Sequence, residues 1–135
     1  MPKFVWTTEI LTRDYVKAHP RTVFLFGDNS IHRGMGGMAK ECRGEPNAVG
    51  IPTKWYPDYD KSSYFYDSES SPATLVAVHP RSLIEAAARN AERLAESKEM
   101  DGTIVVPAGL GLGLAAMLEK CPDTYHWMVK RLGGQ

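Results

Sequence analysis

Three short apolar runs constrain this chain most: VFLF at 23–26, AVGI at 48–51 and TIVV at 103–106. Each is short, carries β-branched or aromatic residues and reads as a strand, the first buried on both faces, the second apolar and the third buried. The first stops at Gly27-Asp28-Asn29 and the second is expected to halt at Pro52. A short strand over 3–6 precedes them. Helical patterns lie between. Thr7 or Thr8 is placed to cap a helix with Ile10, Leu11 and Tyr15 on one face, stopped by His19-Pro20. Residues 36–42 suit a short helix. Ser82-x-x-Glu85 has the form of a capping box ahead of Leu83, Ala87, Ala91 and Leu94, which recur at helical spacing to about Lys98. A last helix is expected over 122–131, and 54–71, rich in Tyr, Asp and Ser, as an irregular loop or a surface hairpin. Strand and helix alternate without an internal repeat, which favours a single-domain α/β sandwich over 1–135 with ligands gathered where strand ends feed glycine loops.

Two such loops follow two of the strands. Gly34, Gly36 and Gly37 precede a helix starting near Met38, and Gly109, Gly111 and Gly113 precede one over 114–118. Glycine lets backbone N–H groups approach and face the oxygens of a phosphate, and a helix start adds partial positive charge. A pair of cradles suits a diphosphate; the alternative is two tight turns whose glycines serve packing. Neither loop is a P-loop, since no GKS or GKT follows, and neither has the spacing of a dinucleotide-fold fingerprint.

Composition sets the surrounding limits. Of 135 residues 43% are hydrophobic, enough for one core of ordinary size. Sixteen basic and sixteen acidic side chains cancel, so an anionic ligand must be recognised locally and not by the overall field. Cys42 and Cys121 are far apart and outside any CxxC pair, which reads as packing thiols, with no metal site and no cofactor expected. The N-terminal residues mix charge into the apolar ones, and no 18-residue apolar window exists, so a cytoplasmic protein without membrane contact is expected.

The segments VFLFGDN, RGMGGMAKECRGEPNAVGIPTK and IVVPAGLGLGLAAM together resemble a family of small macro-like domains of bacteria and phages over nearly the whole chain. More distantly the layout is similar to macrodomains, in particular the antitoxin class that removes ADP-ribose from DNA. The resemblance implies a three-layer α/β/α sandwich with a mixed sheet, binding ADP-ribose or a related NAD-derived nucleotide. An ADP-ribosylated macromolecule is then the partner, either hydrolysed at its ADP-ribosyl bond or only read. It assigns Asn29 to the distal ribose, Gly34, Gly36 and Gly37 to the distal ribose and phosphate, and Gly111, Leu112 and Gly113 to the diphosphate. Lys54, in GIPTK, matches a lysine at the active site, where its amine neutralises phosphate or acts at the anomeric carbon. Asp28 either takes a ribose hydroxyl or polarises a water, as a second catalytic candidate, or bonds nearby backbone amides.

The pattern also departs from macrodomains. No acid that would read the adenine amine is found in 17–21 ahead of Val23, and Ala115 stands where another macrodomain class has a catalytic aspartate. Trp55, Tyr56, Tyr64, Phe65 and Tyr66 either stack on the base or pack their segment onto the sheet. His32 and Arg33 either line the phosphate site or are exposed loop residues.

Overall fold

The computed structural model of the chain describes residues 1–67 and 78–135. Its sheet has four strands, β1 (Lys3–Thr7), β2 (Val23–Asn29), β3 (Ala48–Lys54) and β4 (Thr103–Pro107), in the order β1-β4-β2-β3. All three strand pairings are parallel, so the mixed sheet expected from the sequence is not what the described residues form. An antiparallel bridge between Lys54 and Tyr64 stands outside the named strands.

Side chains on β2 alternate between two cores. Val23 and Leu25 join Ile51, Ile104 and Val106 beneath the long helix α3 (Pro80–Glu96), which presents Ile84, Ala87, Ala88, Ala91 and Ala95. Phe24 and Phe26 face the other way, against Leu11, Val16, Ala39 and Cys42. Those residues come from α1 (Arg13–Ala18), α2 (Ala39–Cys42) and the segment before α1. A strand apolar on both faces thus has a helix layer to bury each face, as its unbroken hydrophobic run requires. The small alanines of α3 let it lie close on the sheet. α4 (Met117–Lys120) and α5 (Pro122–Arg131) complete the first layer, with Met117, Met128 and Leu132 fully buried. No helix among the described residues is long and apolar enough to cross a membrane.

Several element boundaries differ from expectation for identifiable reasons. α1 begins at Arg13 because Thr12, not Thr7 or Thr8, accepts the Tyr15 amide N–H at 3.2 Å as its N-cap. Ile10 is left outside the helix and 89% exposed. β3 runs through Pro52 to Lys54, since the strand is at the end of the described sheet and its register slips beside Pro52, where Asp28 pairs Pro52 and Asn29 pairs Lys54. The capping box at Ser82 does not form. Pro80 takes the first helical position and His79 caps it, accepting the Arg81 amide at 3.1 Å. Glu85 instead bridges Arg131 (2.7 Å) and Arg89 (2.9 Å), and the Arg131 hydrogen bonds pull its carboxyl down to about 2. The loop expected over 54–71 contains a 3-10 turn at Lys61–Ser63. Its last residues, 68–71, lie outside the described part.

Candidate ligand cleft

The chain leaves β2 toward α2 on one face of the sheet and leaves β4 toward α4 and α5 on the other. β2 and β4 are neighbours, so their C-terminal loops part in opposite directions and open a crevice. A cleft of about 540 Å³ occupies it. Both glycine loops reach it, as do Asp28, Asn29 and Lys54 from the strand ends. Of the residues the sequence assigned to a ligand, Leu112 alone does not line it; its side chain is 40% exposed.

The first loop is held by a buried ionic knot. Asp28, 6% exposed, takes the guanidinium fork of Arg43, Nη2 to Oδ1 at 2.6 Å and Nη1 to Oδ2 at 3.2 Å. His32 Nδ1 donates to Oδ2 at 2.9 Å and the Asn29 amide to Oδ1 at 2.8 Å. Four donors fill the acceptor positions of the carboxylate. Burial pushes its pKa up, but the Arg43, His32 and Asn29 hydrogen bonds outweigh that and hold it below the usual value. The backbone-bonding reading of Asp28 is thus present in the fold. Arg43 also donates from Nε to the Gly34 carbonyl at 2.9 Å, so the same side chain fixes Asp28 and the glycine loop together. Gly50 makes room for the knot, because a Cβ there would collide with Asp28 Oδ2 and stand 2.8 Å from its Cβ.

Asn29 organises the loop from inside. Its Nδ2 donates to the Arg33 carbonyl at 2.6 Å while Oδ1 accepts the Ile31 amide at 3.2 Å. This Asx-type turn puts His32 in the left-handed region at φ +55°, a conformation rare outside glycine and stabilised here by the bond to Asp28. Arg33 lines the cleft and His32 does not.

The glycines of the second loop divide into two kinds. Gly111 has φ +79°, and a Cβ there would meet Met117 Sδ at 2.6 Å and Met128 Cε at 3.1 Å, so it is required by packing. Gly111→Ala is expected to lower stability by about 1–3 kcal/mol, from left-handed strain and overpacking, read as a shift of the urea midpoint. An unchanged midpoint would mean that the loop is not packed on those methionines. Gly109 and Gly113 have open space around the Cβ position and ordinary φ. The helix expected over 114–118 starts only at Met117, after Ala116 at φ +48°.

Lys54 is 7% exposed on the cleft wall, and among the described residues it forms no ion pair. Its Nζ donates to the Asp58 backbone carbonyl at 2.6 Å and lies 4.9 Å from the Tyr59 ring centre and 4.4 Å from that of Tyr64. The Asp58 side chain closes this turn on Ser63. Burial lowers the Lys54 pKa, and the nearby Asp58 charge offsets it only in part. Lys120 Nζ also contacts Tyr64, 4.6 Å from the ring centre.

Of the aromatic residues proposed for the base, Trp55 and Phe65 are buried against each other in the core, edge to face at 4.8 Å. Tyr56 and Tyr66 are half-buried, and Tyr64 is bound to the two lysines. None of the five lines the cleft. Tyr59, which was not singled out, does, with 67% exposure. Arg43 and Glu9 were also missed. Glu9 follows β1, and the pairing of Thr7 with Pro107 carries it to the cleft. No cluster of three metal-ligating side chains occurs among the described residues.

No curated protein and no solved structure matches the chain. The model of a family of unknown function, DUF7831, matches residues 6–131, so the chain belongs to that family.

Proposed function

We propose that the cleft binds ADP-ribose or a related NAD-derived dinucleotide, on a macrodomain-like three-layer α/β/α sandwich. One observation carries the reading: two glycine loops from adjacent parallel strands line the same cleft as a buried lysine that has no carboxylate partner among the described residues. Among the described residues the Lys54 amine is held by a carbonyl and two rings, the Asp58 charge nearby offsets its burial only in part, and a phosphate supplies the rest of the compensating charge. The volume falls in the range of ~300–1,000 Å³ usual for small-molecule sites. Glu9, exposed on the rim, offers an acceptor for the amine of a base.

Binding is favoured over hydrolysis. Asp28 was the acid nearest in role to a partner for Lys54, but its oxygens are occupied by Arg43, His32 and the Asn29 amide. The lowered basicity of Lys54 supports hydrolysis as the second reading, since a desolvated amine is a better nucleophile or base near neutral pH.

Calorimetric titration with ADP-ribose, NAD and AMP tests the proposal. ADP-ribose is expected to bind more tightly than AMP, which lacks the second phosphate and ribose. Gly113→Val adds a branched side chain to the cleft lining where nothing else is displaced, so the fold should be retained and ADP-ribose affinity should fall at least ~10-fold, or ~1.4 kcal/mol. Parent-like affinity in a folded Gly113→Val protein removes the second loop from the site.

A further inference from the structure

We infer that the ligand moiety is presented by a protein whose residues around the attachment point are apolar, and that the cleft rim docks them. The inference rests on the ADP-ribose reading. Six of the ten exposed large apolar side chains among the described residues lie on the loops that form the cleft. Ile10 stands before α1, Ile31 and Met35 on the first glycine loop, Tyr59 on the Lys54 turn, and Leu112 and Leu114 on the second glycine loop. Exposed apolar residues scattered singly are ordinary; their gathering around one cavity marks an interaction surface.

Leu114 adds a second element, because its Cδ1 lies 3.9 Å from the Cβ position of Gly36. The two glycine loops therefore approach each other on this side, with Leu114 of the second facing Gly36 of the first. A small polar ligand has no use for side chains that point past the cavity into solvent, such as Met35 at 54% exposure. Charge decides which macromolecule does. Among the charged side chains of the cleft, Asp28 and Arg43 are paired and Lys54 is buried, which leaves exposed Glu9 and Arg33, one of each sign. A nucleic acid carrier needs several unpaired cations along its phosphates. Apolar side chains that flank a modified residue fit the rim instead.

The test compares four probes by calorimetry: free ADP-ribose, a peptide with ADP-ribose on a serine flanked by leucine and phenylalanine, its twin flanked by serine and glycine, and a single-stranded DNA carrying ADP-ribose on a base. The apolar peptide is expected to bind at least ~10-fold more tightly than free ADP-ribose, the twin and the DNA about equally to it. In Ile31→Gln/Met35→Gln, whose side chains do not line the cleft, most of that gain disappears while the affinity for free ADP-ribose is kept. Equal affinity for all four probes, or tightest binding of the DNA, overturns the inference and leaves the cleft reading standing. No affinity for free ADP-ribose ends both.

Discussion

Arg43→Met should destabilise the protein by about 3 kcal/mol, because it removes one partner of a buried ion pair and leaves the other. The Asp28 side chain is 2% exposed and that of Arg43 20%. For a single domain with a total stability of about 5–15 kcal/mol the loss is large. His32 and the Asn29 amide remain on the carboxylate, which keeps the cost from rising further. The double variant Arg43→Met/Asp28→Asn should recover much of the loss, since no charge is then stranded, and urea titrations of the four proteins give the coupling directly. Acid pH supplies an independent check. Asp28 titrates below its ordinary value in the fold, so on lowering the pH the unfolded chain takes the proton first. Its contribution is complete above the unfolded value of about 3.9 and is lost as pH falls from there through the folded value. Arg43→Met removes part of what holds the carboxyl down and brings its folded value up towards the unfolded one, so the acid-induced loss that Asp28 contributes should shrink in the variant. A parent-like urea midpoint for Arg43→Met would show that the knot does not hold the first glycine loop.

What was legible in the sequence is what local patterns encode. The runs at 23–26, 48–51 and 103–106 are strands because short, unbroken runs free of charge and rich in branched or aromatic residues pack between helix layers on the two faces of the sheet. The glycines stood out because they cluster just after strand ends, whereas Lys54 was assigned only by the resemblance of GIPTK to a macrodomain motif. Arg43 was missed, since its role depends on Asp28, fifteen positions earlier, and on a helix end whose direction no periodicity gives. Glu9 reaches the cleft only through the pairing of β1 with β4, about a hundred residues apart in the chain. Ile10 shows the opposite failure. It fits a helical apolar face with Leu11 and Tyr15, but Thr12 caps the helix later and leaves Leu11 alone of the first two in the core. The glycines were legible as a group and not one by one, because packing against Met117 or open space around a Cβ cannot be read from spacing.

Lys54→Met should move binding and stability in different directions. ADP-ribose affinity is expected to fall at least ~10-fold, because on the proposed reading the one lysine among the described residues that line the cleft holds the phosphates. Stability should be unchanged or higher. Lys54 is 7% exposed as a residue, its amine has a carbonyl and two aromatic rings as partners among the described residues, and a methionine of similar length fills the same space without the cost of desolvating a charge. The alkaline pH range separates this from simple loss of packing. With its folded pKa lowered, Lys54 releases its proton in the native protein before the unfolded chain does, so between the two values the unfolded state holds more protons and stability rises with pH. Below the folded value both states are charged and the burial cost is felt in full. Lys54→Met should therefore lose that rise, and its advantage over the parent should shrink as pH approaches the unfolded lysine value of about 10.4. A structural lysine would behave otherwise, with lower stability and little change in affinity. Turnover distinguishes the remaining role: if the parent releases ADP-ribose from a modified protein and Lys54→Met does so ~100-fold more slowly than its affinity loss explains, the amine acts at the anomeric carbon and the protein is a hydrolase. With no release by the parent, Lys54 serves to hold the diphosphate, which is the outcome expected from a cleft whose one buried carboxylate is already saturated by Arg43, His32 and the Asn29 amide.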